Sequence, residues 1–255
     1  MSTPAYNLDY PEKHKIIDLS SSISATEVCS DCTKTIIAIK GNNSDFDENI
    51  AKAFFSLAPI YHVDPMRAIS QSILETGWFK FAGSSVKAKQ HNYCGLGAVG
   101  GGASGASFTT IENGVRAQLQ HLYAYGCKDS LPEGETSIID PRFKYVTRGI
   151  APYWEQLAGR WAVPGFTGPD AETALKNGNT YGQKIDKIYK QLKATKITNT
   201  DIKKYFKIED NSDIKSDPVR PDNSDLDTEK TNFIVKLFKK LFNFILKTIF
   251  KRNSQ

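Results

Sequence analysis

The sequence has no long uncharged apolar run, so it contains no predicted membrane-spanning helix. Residues 1–11 carry neither the basic segment nor the apolar segment with which a secretory signal peptide begins. We therefore expect the chain to be made in the cytoplasm without a Sec signal peptide, and to need another exit route for any function outside the cell.

Cysteine is also scarce, and the cysteines that occur form no strong metal-binding pattern. Cys29 and Cys32 make a lone CxxC pair, with no second pair and no histidine at the spacing of a zinc finger. A redox pair is equally unsupported without a βαβ context. We expect Cys29, Cys32, Cys94 and Cys127 to be free thiols, or to include one incidental disulfide.

An excess of positive charge is found at one end of the chain only. The net charge is +5, but residues 230–255 contain seven Lys and Arg and no acid, so the remainder would carry about −2. A basic core that binds nucleic acid is therefore not indicated, and we expect no nucleic acid among the partners.

The C-terminal segment has the pattern of a cationic amphipathic helix. Its lysines recur at helical spacing, with Phe, Leu and Ile between them: Lys236, Lys239, Lys240, Lys247 and Lys251. Such a helix lies in the membrane interface, so we predict that residues 230–255 bind a membrane surface. The alternative is that this helix docks on the folded domain or on a partner. The polar, acidic residues before it predict a disordered linker over residues 196–229.

The middle of the chain predicts a mainly α-helical domain over residues 47–195. Asp47 can cap a helix that runs to about residue 61, with Ile50 and Phe54 on its buried face. A capping box at residues 109–112 opens another helix, which runs to about residue 126. Further helices are expected at residues 64–76, 152–158 and 181–192.

Two other stretches are irregular in pattern. Residues 1–46 are interpreted as an N-terminal extension, in which 15–19 and 35–40 are short strands or helix ends on either side of a Ser-rich turn at 20–24. The Gly-rich residues 91–105 lack the GxxxxGK[ST] order of a phosphate-binding loop. They are more typical of a mobile loop or a small β-lobe beside a cleft.

The helix at 64–76 has both of its ends marked in the sequence. Asp64 is a good N-cap, and Pro65 follows at the first helical position, where its missing N–H costs nothing. Gly77 can adopt the left-handed conformation that commonly closes a helix. Met66, Ile69 and Ile73 recur at the spacing of a buried face.

Glu75 lies off this buried face, in the last helical turn. The negative end of the helix dipole disfavours its charged form, and loss of water beside Trp78 and Phe79 would raise its pKa in the same direction. A carboxyl that stays protonated near neutral pH is what a glycosidase needs to protonate a leaving oxygen. The alternative is an ordinary surface glutamate at a helix end.

These residues resemble the glucosaminidase domains of glycoside hydrolase family 73 over about residues 48–194. Ala68-Ile-Ser-Gln-Ser-Ile-Leu-Glu75-Thr-Gly-Trp78 is similar to the family's "aQsilEtGWG" segment, and His91-Asn-Tyr-Cys-Gly95 to its "NN-aromatic-x-G". Gly159-Arg-Trp161-Ala-Val-Pro164, followed by Tyr181-Gly-Gln-Lys-Ile185, resembles the closing "YAxxxxYaxkI". The resemblance implies a lysozyme-like fold of mainly α (α+β) class, and a peptidoglycan hydrolase of bacteria or phages.

The chain also departs from the family's pattern. The family often has a second carboxylate on its β-lobe, yet residues 95–108 contain no Asp or Glu. Glu112 is the nearest acid and a candidate for a base that positions water, although its capping-box position favours a structural role. Trp161 stands where family members have a tyrosine that helps catalysis. The substrate's own 2-acetamido group could replace the missing acid as nucleophile.

The resemblance thus implies an endo-β-N-acetylglucosaminidase that cuts the GlcNAc-β-1,4-MurNAc bond with Glu75 as general acid and without a metal or cofactor. The residues expected to bind substrate, each with a core role as the alternative, are Trp78, Asn92, Tyr93, Tyr153, Trp154 and Trp161. A lytic transglycosylase and a catalytically dead wall-binding or membrane-active protein remain rival interpretations. The expected role is that of a phage endolysin or a lysis or wall-remodelling enzyme, acting at the cell wall.

Overall fold

The ends of the helices are largely set by local capping. The computed structural model describes residues 3–18, 25–98 and 103–206. In these ranges it contains seven α-helices, which are α1 Ala25–Asn42, α2 Glu48–Leu57, α3 Pro65–Thr76, α4 Ile111–Gly126, α5 Ala171–Lys176, α6 Tyr181–Lys193 and α7 Asn199–Phe206. Short 3-10 turns lie at Ala5–Asn7, Ala58–Tyr61, Ala88–Gln90, Phe143–Tyr145 and Trp154–Leu157. The prediction of a mainly α-helical fold is confirmed.

The chain divides into two compact units. The larger unit comprises Met1–Ser22 and Lys34–Thr195, and the smaller comprises Ile23–Thr33 and Lys196–Gln255. In the larger unit α3 packs against both α2 and α6, and α2 packs against α4. The apolar faces of these helices supply fully buried side chains, among them Phe54, Ile69, Ile73 and Leu119.

The N-terminal part of the larger unit packs on the 3-10 turn Trp154–Leu157. Ile16 N donates to Pro152 O at 2.9 Å, and Trp154 N donates to His14 O at 2.9 Å. The His14 backbone N–H also donates to Glu155 Oε2 at 3.0 Å. The predicted N-terminal extension therefore contributes its described residues 3–18 and 34–46 to this unit. Residues 35–40 belong to α1, and the predicted Ser-rich turn at 20–24 lies outside the described residues.

The predicted β-lobe is an irregular loop with no strand in its described residues, 91–98 and 103–105. Side chains rather than a β-ladder tie it together. Asn92 Nδ2 donates to Leu96 O at 2.9 Å and to Ala106 O at 3.1 Å, while Asn92 Oδ1 accepts from Leu96 N at 2.9 Å. Gln90 Nε2 donates to Ser104 O at 2.7 Å. The lobe is thus irregular as expected, but the prediction of β structure is wrong for its described residues.

The smaller unit corrects one predicted boundary. Residues 196–229 were expected to be a disordered linker, yet Asn199–Phe206 forms α7, with Tyr205 buried. The remaining part of that linker, and the predicted amphipathic helix at 230–255, lie outside the described residues. Throughout the ranges the structure describes, no helix combines the length and apolar character needed to cross a membrane.

All four cysteines are free thiols. Cys29 is buried in the smaller unit, and this burial raises the pKa of its thiol to about 11. Such a thiol stays protonated at neutral pH and behaves as a small apolar side chain.

Candidate active site

Helix α3 places Glu75 at its C-terminal end, and both predicted caps are present. Asp64 Oδ1 accepts from Met66 N at 2.8 Å and from Arg67 N at 3.1 Å. Gly77 closes the helix in the left-handed conformation, with φ at +58°. The helix end is therefore fixed by local interactions, and with it the position of the Glu75 backbone.

Glu75 lines an open cleft of about 270 Å³ in the larger unit. The other residues that line it are Thr76, Phe81, Ser84, Ser85, Val86, Asn92, Cys94, Gly95, Ala98, Trp161 and Ala162. Among the described residues of this lining, Glu75 is the only carboxylate. The cleft brings together three residues from distant parts of the sequence that were predicted to act at one site, Glu75, Asn92 and Trp161.

The environment of Glu75 favours its protonated form. The residue is exposed on the open side of the cleft, but protein surrounds the carboxyl, and this burial raises its pKa. Hydrogen bonds with Tyr181 and then Trp161 oppose the shift without cancelling it. The predicted direction of the shift is confirmed. We expected Trp78 and Phe79 to exclude water from the Glu75 carboxyl. Neither residue is among those that line the cleft.

Tyr181, at the first position of α6, donates its hydroxyl hydrogen to Glu75 Oε1. This tyrosine was not among the predicted site residues. Its pKa is raised well above the ordinary value, because it is buried and because it lies beside Glu75. Tyr181 therefore remains a neutral hydrogen-bond donor over the range in which a glycosidase acts.

A chain of buried amides fixes the direction of this donor. Gln71 Nε2 donates to the Tyr181 hydroxyl oxygen at 3.0 Å. Gln71 Oε1 in turn accepts from Gln118 Nε2 at 2.9 Å, and Gln118 Oε1 accepts from the Ser72 hydroxyl at 2.8 Å. Since the tyrosine oxygen is already an acceptor for Gln71, its single hydrogen points to Glu75.

Trp161 lines the cleft together with Glu75. Its side chain is partly buried against the apolar cluster of Cys94, Leu96 and Ala117. The Trp161 side chain acts on the carboxyl as a hydrogen-bonding group that lowers the pKa of Glu75. Because the indole N–H is a donor only, this bond runs from Trp161 to the carboxyl. The phenolic donor to the carboxyl is Tyr181.

Cys94 is the other titratable residue of the cleft lining. It is buried, and burial raises the pKa of its thiol well above the ordinary value. The reactive form of cysteine is the thiolate, so this neutral thiol is no nucleophile near neutral pH. Its role in the site is to pack against Trp161.

Several other predicted substrate-binding residues lie away from the cleft lining. Tyr93 and Trp154 have 1% and 0% of their surface exposed, so neither ring offers a face on which a sugar could stack. Trp78 and Tyr153 are half-buried and do not line the cleft. Asn92 does line it, but its amide is bonded within the lobe. Sugar binding by Trp78, Tyr153 and Asn92 stays a prediction.

Glu112 occupies the first turn of α4 and is not among the residues that line the cleft. The N-cap of α4 is Thr110, whose hydroxyl accepts from Asn113 N at 3.2 Å. The helix therefore begins one residue later than the predicted capping box, which would have placed the cap at Thr109. The proposed role of Glu112 as a base stays a prediction.

The middle of the chain is similar to known proteins. The family model described as glucosaminidase, or mannosyl-glycoprotein endo-beta-N-acetylglucosaminidase, matches residues 51–194, more than half of the chain. An uncharacterized protein of Borreliella burgdorferi is 36% identical over 155 residues, which cover 59% of this chain and 72% of that relative. No solved structure matches the chain significantly.

Proposed function

Since this chain belongs to the glucosaminidase family and is a glycoside hydrolase, an endo-β-N-acetylglucosaminidase, we propose that it cuts the GlcNAc-β-1,4-MurNAc bond of peptidoglycan with Glu75 as general acid. The observation that carries the proposal is the carboxyl of Glu75. It is the only acid among the described residues that line the cleft, and its pKa is raised by burial. A carboxyl in this state can hold the proton that the leaving oxygen requires.

The hydrogen bonds around Glu75 suit a proton donor. Because Oε1 accepts from Tyr181, the acidic proton is placed on Oε2, from which it passes to the glycosidic oxygen as the C–O bond breaks. The carboxyl becomes an anion in this step. Hydrogen bonds from Tyr181 and Trp161 strengthen as that charge develops, so they stabilise the transition state more than the ground state.

The second half of the reaction is proposed to be substrate-assisted. No second carboxylate is found among the described residues that line the cleft. In this scheme the acetamido oxygen of the GlcNAc residue attacks its own anomeric carbon while the leaving sugar takes the proton from Glu75. Water then adds to the anomeric carbon, the ring formed by the acetamido group reopens, and the Glu75 carboxylate accepts the proton of the water. The anomeric configuration is retained in this scheme.

Glu112 provides the alternative, in which a carboxylate activates water directly and the configuration is inverted. The two schemes differ in the first product. Release of β-configured reducing ends, with Glu112→Gln as active as the wild type, supports substrate assistance. Release of α-configured ends, lost in Glu112→Gln, contradicts it and assigns the base to Glu112.

Mass spectrometry of fragments released from purified peptidoglycan tests the reaction class. Reducing ends at GlcNAc are the expected product of the wild type. Anhydro-muramyl ends would indicate a lytic transglycosylase that uses the same acid. The absence of any fragments would leave a catalytically dead wall-binding module, and residues 230–255 would then be the main candidate for function.

We further propose a role in wall lysis or remodelling, such as that of a phage endolysin, in which residues 230–255 bind the membrane surface. The support comes from the sequence, where lysines at helical spacing alternate with Phe, Leu and Ile. Binding of this segment to an anionic membrane would hold the enzyme at the membrane surface.

A further inference from the structure

We infer that His121, held by Asp140, is a positioning residue that keeps Trp161 aligned on the Glu75 carboxyl. The inference rests on the proposed role of Glu75 as the general acid. Neither His121 nor Asp140 is among the residues that line the cleft, so both act through the indole ring.

Asp140 fixes the orientation of the His121 ring. His121 Nδ1 lies 2.6 Å from Asp140 Oδ2, and the Asp140 side chain has no exposed surface. The other carboxyl oxygen accepts from Arg142 N at 2.8 Å. Gln120 Oε1 accepts from the Asp140 backbone N–H at 3.1 Å. Since the carboxyl is held from both sides, it can determine which way the imidazole ring faces.

The oriented ring packs directly on Trp161. The centroids of His121 and Trp161 are 4.8 Å apart with the rings at 74°, an edge-to-face arrangement. Tyr125 completes the cluster, 5.3 Å from His121 and 5.8 Å from Trp161. Among the charged groups near the Tyr125 hydroxyl, Arg160 and Arg142 lower its pKa and Asp140 raises it.

Trp161 is thus held between two sets of neighbours. The apolar cluster of Cys94, Leu96 and Ala117 packs against it, and His121 and Tyr125 contact it as rings. A tryptophan that is only partly buried would otherwise be free to change rotamer and withdraw its N–H from Glu75. The His121–Asp140 pair removes that freedom, which matters because catalytic groups lose effect when displaced by about 1 Å.

The chain offers a matched control in the same unit. His14 Nδ1 lies 2.7 Å from Glu155 Oε1, so this pair has the same chemistry as His121–Asp140. Neither His14 nor Glu155 lines the cleft of Glu75. Loss of a partly buried His–carboxyl hydrogen bond alone can therefore be separated from loss of the contact with Trp161.

The test compares His121→Asn, Trp161→Phe and the double variant with His14→Asn, using the full chain and soluble glycan fragments as substrate. His121→Asn keeps a donor for Asp140 but removes the ring, and Trp161→Phe keeps a ring but removes the N–H. We expect each single variant to lower kcat about tenfold, with KM little changed. Loss of the indole hydrogen bond also raises the pKa of Glu75 further, so the basic limb of the kcat profile moves to higher pH.

The double variant decides between positioning and mere support of the fold. If His121 acts through Trp161, His121→Asn adds little to the effect of Trp161→Phe, and His14→Asn leaves kcat and the pH profile unchanged. Two results would overturn the inference. One is a loss of kcat in the double variant that equals the product of the two single losses. The other is a His121→Asn variant that is less stable than the wild type but whose kcat falls at the same basic pH.

If His121→Asn does not fold, the milder variant Asp140→Asn can still test the inference. Asp140→Asn keeps a hydrogen-bonding partner for His121 and should retain most of kcat and an unshifted basic limb. A severe loss of kcat in folded Asp140→Asn, with the wild-type limb, contradicts positioning by orientation. Glu75→Gln separates the two proposals. If this variant keeps its activity, the proposed role of Glu75 as general acid is wrong. If it loses its activity, that role stands, and the results for His121 test the positioning proposal alone.

Discussion

Removal of the Tyr181 hydroxyl gives the sharpest prediction about catalysis. Tyr181→Phe keeps the ring that fills the start of α6 but removes the hydrogen bond to Glu75 Oε1. A hydrogen bond to a charged group contributes about 1.5–3 kcal/mol. If this bond forms fully only when Glu75 becomes an anion, kcat should fall about 10- to 160-fold with little change in KM.

The pH profile should change in a defined direction. The bond with Tyr181 lowers the pKa of Glu75 against the larger effect of burial, so its loss raises that pKa further. A general acid is active in its protonated form, and activity is lost as the pH rises through its pKa. The basic limb of the kcat profile of Tyr181→Phe should therefore lie at higher pH than that of the wild type.

Stability should fall as well, because the substitution leaves Gln71 Nε2 without its acceptor in a fully buried position. An unsatisfied buried donor costs about 1–3 kcal/mol in the free energy of unfolding. Urea unfolding measures this cost, and kcat on soluble glycan fragments measures the catalytic effect. Tyr145→Phe, at a well-exposed tyrosine, is the control and should match the wild type in both. Wild-type kcat and an unmoved basic limb in Tyr181→Phe would refute the assignment of the tyrosine to the acid.

Three further predictions concern packing, the lobe and the C-terminal segment. Gly114→Ala should lower the free energy of unfolding by about 3 kcal/mol or more, since a Cβ there would lie 1.8 Å from His91 O; Gly41→Ala, with open space around it, should change stability by no more than about 1 kcal/mol. Asn92→Ala should lose about 2–3 kcal/mol, because three hydrogen bonds of the lobe depend on its amide, and an unchanged urea midpoint would contradict this. Deletion of residues 230–255 should spare hydrolysis of purified wall but weaken lysis of intact cells, and equal lysis by both chains would remove the membrane role.

Helix α3 could be predicted in full because its signals are local. Asp64 and Pro65 mark its start and Gly77 its end, and each acts within a few residues in the structure. Signals of equal strength one residue apart are harder to separate, and so Thr110 rather than Thr109 caps α4. The linker prediction failed at Asn199–Phe206, where a polar sequence forms a helix that buries Tyr205.

A residue of the candidate site could be predicted only where the neighbouring sequence forms a recognisable motif. Glu75 stands in a specific motif at a helix end. Tyr181 lies 106 residues away, and although it belongs to the segment that resembles the family's closing motif, its hydrogen bond to that acid cannot be inferred from local pattern. Trp161 was predicted at the site as a sugar-binding residue, whereas its effect on the pKa of Glu75 depends on the folded structure. Tertiary packing brings these groups together, and a reading of periodicity cannot show it.

The most direct test of the central claim is the rate at which Glu75→Gln releases GlcNAc-reducing ends from purified peptidoglycan. Glutamine fits the same space and can still accept from Tyr181, but it has no acidic proton to give. A positioned general acid contributes about 10²- to 10⁴-fold, so we predict a loss of at least that order in a folded variant. Release at the wild-type rate would contradict the assignment of Glu75 as the acid.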